Sequence, residues 1–179
     1  MKKRIKLVFF LMLIAVLSGI CSIGYCEKYE FEENYKLSYK NAWVTEESEN
    51  YSGARALKLY TRNDSEVGYY VEYTVKTAES GAYQLSVDST ELGGNVYCDV
   101  FVSVNGGALY SLNANSGVGI PQSSGLTRWT IKHLPGFVAG NNTIRFTVTD
   151  SRLRDSLYIA YFDCFSLEKA DFGIQGVVK

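Results

Sequence analysis

The sequence predicts an all-β fold, a two-sheet antiparallel β-sandwich of jelly-roll type behind an N-terminal signal peptide. Three observations carry that prediction. Short apolar/polar alternations recur along the chain after residue 26, and turns rich in Gly, Asn and Ser separate them. No stretch of ten or more residues beyond the N-terminus sustains a 3.6-residue period. Many short strands at even spacing, without helical crossovers, give a sandwich or barrel.

The first 26 residues read as a signal peptide. Lys2, Lys3, Arg4 and Lys6 form a positive segment, followed by the apolar run Leu7 to Leu17 and the small residues Ser18-Gly19. The run is short for a bilayer span and has the layout of a secretory signal. Small residues permit cleavage after Gly24 or after Cys26. Bulky Ile20 and Tyr25 precede Cys21 and Cys26, which disfavours lipidation, so export into the extracellular medium is expected, with an uncleaved anchor as the alternative. Cleavage leaves about 150 residues, the size of one domain. It also removes four cations, leaving a net charge of about −5. No basic patch survives, which argues against nucleic acid or an anionic membrane as partner. The domain is assigned to 27–169, with 170–179 an extension or the start of a connection to a further module.

The strands follow in order. Glu27 to Glu33 sets Tyr29 and Phe31 against Lys28, Glu30 and Glu32. Ala54 to Tyr60 directs Ala54, Ala56, Leu57 and Leu59 toward a core. Val67 to Val75 alternates Val71, Tyr73 and Val75 with Glu72 and Thr74, and Ser80-Gly81 turns the chain into Ala82 to Val87. Asn95 to Val104 places Cys98, Val100, Val102 and Val104 on one face, and Asn105-Gly106-Gly107 signals a hairpin into Ala108 to Leu112. Arg128 to Leu134, Thr143 to Thr149 and Leu157 to Leu167 complete the set, with Gly140-Asn141-Asn142 read as a turn.

The order of motifs resembles the family 6 and family 35 carbohydrate-binding modules. The resemblance rests on Tyr29-Glu30-Phe31-Glu32-Glu33, Tyr51-Ser52-Gly53, Tyr70 to Val75, Gly81 to Leu85 and Val102 to Gly106. Trp129, Gly140 to Ile144 and Phe162-Asp163 follow in the same order. It covers Tyr29 to Lys169, and it implies a non-catalytic β-sandwich that binds polysaccharide or oligosaccharide. Such modules are appended to polysaccharide-degrading enzymes, so a catalytic module in the same polypeptide is a further expectation. The resemblance also implies a structural calcium held by Glu30, Glu32 and Asp163. Residues i and i+2 of a strand project to one side, so Glu30 and Glu32 can converge on a cation that wants six to eight hard oxygens. The plain alternative is a row of solvated acids on an edge strand, with Lys28 neutralising Glu30 on the same side.

Sugar recognition needs an aromatic face against the C–H face of a pyranose and polar groups that read its hydroxyls. In those modules one platform follows the early strands and another precedes the tryptophan-bearing strand. Trp43 stands in the first region, where it can serve the core or the ligand, with Tyr39 and Tyr51 as further candidates. Leu126 stands in the second region and departs from the pattern, having no aromatic face. Arg128 and Asn115 are the polar candidates carried forward; Asn113, Gln122 and Arg154 are others, with loop amides ordinarily turn formers first. Trp129 is expected in the core, and the charged loop Asp150 to Asp155 is read as a solvated turn.

Catalysis finds little support. His133 is the single histidine and precedes a turn, and no nucleophile elbow, zinc spacing or phosphate loop is present. Cys98 and Cys164 fall on opposite faces of their strands, which disfavours a disulfide between them. A structural or adhesive sandwich without a sugar site, mediating protein contacts or spacing, is the competing expectation. Burial of Trp43 would favour it.

Overall fold

Alternation with a period of two lets a strand bury one face and wet the other, and the computed structural model shows that pattern as twelve strands among the described residues. It describes residues 27–38, 43–61, 69–90, 98–116, 119–122, 125–149 and 158–170, without the side chains of 60, 61, 115, 116, 149, 158 and 159. The strands are β1 (Glu27–Glu30), β2 (Tyr35–Leu37), β3 (Trp43–Glu47), β4 (Arg55–Thr61), β5 (Tyr69–Thr77) and β6 (Gly81–Ser89). The rest are β7 (Asp99–Val104), β8 (Tyr110–Ser111), β9 (Ile120–Pro121), β10 (Thr127–Phe137), β11 (Gly140–Thr149) and β12 (Tyr158–Lys169). One sheet has seven strands in the order β3-β4-β12-β6-β10-β9, with β1 also on β12; the other has five, in the order β2-β5-β11-β7-β8. All pairings are antiparallel. The chain is an all-β, two-sheet antiparallel sandwich.

The facing sides of the sheets make one core. Val71, Tyr73 and Val75 from β5, Val100, Val102 and Val104 from β7, and Ile144, Phe146 and Val148 from β11 meet Leu57, Leu59, Leu85, Val87, Phe162 and Phe165. Phe31 lies at the centre, 0% exposed. Its ring stands 4.9 Å from those of Phe146 and Phe162, 5.2 Å from Phe165 and 5.3 Å from Tyr73, so it touches both layers.

Several boundaries differ from the sequence reading, each for a local reason. β1 stops at Glu30 because the Glu33 N–H bonds back to the Glu30 carbonyl (3.2 Å), turning the chain under Phe31. Ala54 is exposed rather than core-directed, since it closes a 3₁₀ turn, Ser52–Ala54, just before β4. The hairpin at Asn105-Gly106 is present, with positive φ at both residues (51° and 69°) as a type I′ turn requires. A short helix, Leu112–Ser116, follows β8, starting at the last residue of the expected Ala108 to Leu112 strand. Gly140 to Asn142 opens β11 instead of forming the turn. Asn142 is buried and braces the turn before it, accepting from Val138 N (2.8 Å) and donating to the Val138 carbonyl (2.8 Å) and Thr77 Oγ1 (2.9 Å). Cys98 joins the core and Cys164 lies on the opposite face of β12 from Phe165, and no disulfide joins them.

Candidate functional site

The site is built by a change of partners along one edge of β12. Toward its N-terminal end β12 pairs with β4, as far as Phe162↔Leu57. Toward its C-terminal end it pairs with β1, from Cys164↔Glu30 onward. Asp163 stands between the two pairings, where the register with β6 on the other side also slips. A bulge of this kind re-aims a side chain. Here it leaves the Asp163 carboxylate in the gap between β4 and β1, only 4% exposed.

The turn Tyr51-Ser52-Gly53 fills that gap. Ser52 N–H donates to Asp163 Oδ1 (2.8 Å), and Ser52 Oγ donates to Glu30 Oε1 (2.8 Å). Lys28 reaches the same cluster, bonding Ser52 Oγ and lying 3.1 Å from Glu30 Oε1. Glu32 arrives by a different route from the one its spacing suggested. It lies past the end of β1, and the turn under Phe31, not strand alternation, brings it beside Glu30. Phe31 N–H anchors that turn on the Asp163 carbonyl (3.0 Å).

Gly53 makes the close approach possible. Its φ is +60°, and a Cβ there would sit 3.1 Å from Glu32 Oε1 and 3.9 Å from the Glu30 carboxyl carbon. Left-handed backbone costs a non-glycine residue about 1–2 kcal/mol. The variant Gly53→Ala is therefore expected to lose about that much stability in a denaturant melt, and its methyl group would press on the Glu32 carboxylate.

Burial without compensation marks the electrostatics. Glu30 Oε2 and Glu32 Oε2 are both cut off from solvent and take no hydrogen bond among the described residues. Asp163 is pushed up to about 6, first by desolvation and then by the Glu30 charge, against the pull of the Ser52 N–H. Glu32 is also raised by desolvation, with the charges of Glu30 and Glu33 adding to it. Buried carboxylate oxygens without donors fit a hard cation, which would supply the missing partner. The cluster opens onto a cleft of about 570 Å³ lined by further acids, Glu33, Glu47 and Glu49, beside Arg55.

The predicted sugar-binding residues do not gather in one place. Trp43 is 6% exposed; its ring packs toward Phe162 (6.3 Å) and its Nε1–H donates to the Ser38 carbonyl (3.0 Å). A platform role does not fit that burial, and the physical reason is β3, which pairs with β4 and turns Trp43 inward opposite Leu59. Leu126 is likewise buried, 6% exposed. Tyr51 is half-buried next to the acid cluster, its phenol raised by burial and by the Glu46 charge. Arg128 lies on β10 and grips Asp88 with two hydrogen bonds, Nε at 2.7 Å and Nη2 at 2.6 Å. Tyr39 and the Asn115 side chain lie outside the described residues, as does Arg154. Trp129 packs inward as expected, its Nε1–H on the Thr90 carbonyl (3.2 Å).

Sequence reasoning missed Ser52 as the donor that links Asp163 to Glu30, and Asp88 as the partner of Arg128. Asp88 follows Gln84 and Ser86 as the third polar position of the alternation along β6.

The sequence matches no family model and no curated protein. Solved structures do match in fold. The family 35 carbohydrate binding module from Clostridium thermocellum aligns with a TM-score of 0.54 at 22% identity, over 79% of this chain and 98% of that one. The chain has the family 35 carbohydrate-binding-module fold. A family 35 module from Paenibacillus barcinonensis aligns over 79% of this chain and 97% of its own, with a TM-score of 0.54 at 16% identity. The Podospora anserina GH26-CBM35 β-(1,4)-mannanase aligns with a TM-score of 0.55 at 20% identity, over 83% of this chain but 28% of its own length. This chain thus spans nearly all of the isolated modules and under a third of the multi-part enzyme.

Proposed function

We propose that the chain is a non-catalytic carbohydrate-binding module that recognises polysaccharide or oligosaccharide, is exported by the segment 1–26, and is stabilised by a calcium ion at Glu30, Glu32 and Asp163. The observation that carries the reading is the fold match over almost the full length of isolated family 35 modules. The acid cluster supports the metal: two buried, unpartnered carboxylate oxygens and a glycine cradle suit an oxygen-seeking ion. Bound there, the ion would tie the end of β1 to the bulge of β12 and the turn before β4. Its contribution is structural charge neutralisation, with Lys28 sharing that task at Glu30. The match to a mannanase that carries such a module supports a catalytic partner in the same polypeptide.

A second reading draws on a specific observation. Trp43 and Leu126 are both buried, so neither expected platform position offers an exposed aromatic face. A structural or adhesive sandwich, mediating contacts or spacing, accounts for that without a sugar site.

Affinity electrophoresis separates the two. The mature chain is run through gels containing xylan, mannan, galactan or pectin, with calcium or with chelator. Retardation by at least one glycan is expected, with Tyr51→Ala or Arg128→Ala weakening it several-fold. Migration unchanged by every glycan would leave the structural reading in place.

A further inference from the structure

The acid cluster has a sulfur at its edge. Glu30 and Cys164 are direct cross-strand partners, and Cys164 is in turn opposite Asp88 on β6, which is opposite Arg128 on β10. These four side chains form a row across the outer face of the larger sheet. A Glu30 oxygen, an Asp163 oxygen and Cys164 Sγ all lie within 4.8 Å of one another. Glu32 is not in that set.

We propose that Glu30 and Asp163 are shared between two overlapping cation sites, an all-oxygen one completed by Glu32 and a mixed one completed by Cys164 that takes a thiophilic divalent ion such as cadmium or zinc. The inference rests on the reading that this cluster holds a cation. Metal–sulfur bonds of about 2.3 Å and metal–oxygen bonds of about 2.1 Å put tetrahedral ligand atoms about 3.6 Å apart. Donors already within 4.8 Å can close to that spacing by side-chain rotation.

Two observations independent of the cysteine point the same way. Asp163, 4% exposed, receives one side-chain hydrogen bond, at Oδ1, and its Oδ2 receives none among the described residues. Glu30 Oε2 is sealed from solvent without a partner. Ligand softness then decides which ion uses which set. Calcium has no use for a thiol and turns to Glu32; cadmium and zinc favour the thiolate.

The surroundings hold the sulfur in place. Cys164 is 5% exposed, and its S–H points at Asp88 Oδ2 (3.6 Å). Asp88 is fixed by two bonds from Arg128, so its acceptance of the S–H holds the thiol at the edge of the cluster until a metal displaces the proton. As the sulfur–metal bond forms, the thiol proton leaves to solvent, so one proton is released per ion bound.

The full chain titrated with cadmium, followed by the ultraviolet thiolate-to-cadmium charge-transfer band, tests the assignment. A band saturating at one ion per chain is expected. It should persist in the Cys21→Ser, Cys26→Ser, Cys98→Ser triple variant, vanish in Cys164→Ser, and need at least ten-fold more cadmium in Glu30→Gln. The calcium-induced rise in melting temperature should survive in Cys164→Ser, which also shows that the variant folds. Absence of a band in the triple variant, or its indifference to Glu30→Gln, overturns the mixed site even where calcium still stabilises the protein. A band without any calcium effect leaves the mixed site standing and removes the calcium reading instead.

Discussion

Truncating Phe31 to alanine is expected to destabilise the fold by about 3–5 kcal/mol, a large part of a domain's total stability. The residue's place in the sandwich sets that size. Its ring is fully enclosed by Phe162 and Phe165 from the larger sheet and by Phe146 and Tyr73 from the smaller. Removing it therefore leaves a hole between layers that neither can fill without parting from its own strand register. Its backbone is committed as well: Phe31 N–H bonds the Asp163 carbonyl, and its carbonyl accepts the Tyr73 hydroxyl at 2.5 Å. A urea melt of Phe31→Ala beside Val44→Ala is the measurement. Val44 is exposed, and its variant should stay within about 0.5 kcal/mol of the parent. Equal midpoints for the two variants would contradict the packing described. Because Glu30 and Glu32 flank Phe31, the same variant should also lose most of any stabilisation by calcium.

Much of this architecture is legible in the sequence, for a reason the strands themselves show. β5 alternates buried and wetter positions along its whole length, and β6 and β7 do so over part of theirs; a period of two has one physical reading when repeated this often. Where legibility fails, a distant partner decides the outcome. β2 and β9 are three and two residues long, held only by their neighbours β5 and β10, and no local pattern announces them. Trp43 could serve core or ligand by residue type; only pairing of β3 with β4 turns it inward. The acid cluster was found for a partly mistaken reason. Glu30 and Asp163 do come together, with Cys164 rather than Glu32 as the third donor within 4.8 Å; Glu32 comes beside Glu30 through a turn, and Asp163 enters through a bulge that no spacing rule encodes. Ser52 was invisible as a participant, since its role depends on contact with a residue 111 positions away.

Asp163→Asn is expected to remove the calcium-dependent part of stability while costing little in calcium-free buffer. A ligand that binds only the folded state stabilises it by about 2.7 kcal/mol at a hundred times its dissociation constant, and that increment should vanish with the charge. The amide oxygen can still accept from Ser52 N–H, so the turn before β4 keeps its anchor. The pH dependence gives a sharper signature. Without metal, burial raises the Asp163 carboxyl to about 6 in the folded protein, above its unfolded value near 3.9. The folded state then binds the extra proton between those two values, so this group adds stability as pH falls from about 7 toward 4. With calcium bound the ionised form is the one held, and protons compete with the ion across the same window. The contribution of Asp163 to the slope of melting temperature against pH should therefore reverse sign when calcium replaces chelator, and Asp163→Asn should abolish the difference between the two profiles. Parallel profiles for the parent protein in calcium and in chelator would mean that Asp163 meets no metal, leaving Lys28 as the cation that offsets this cluster's charge.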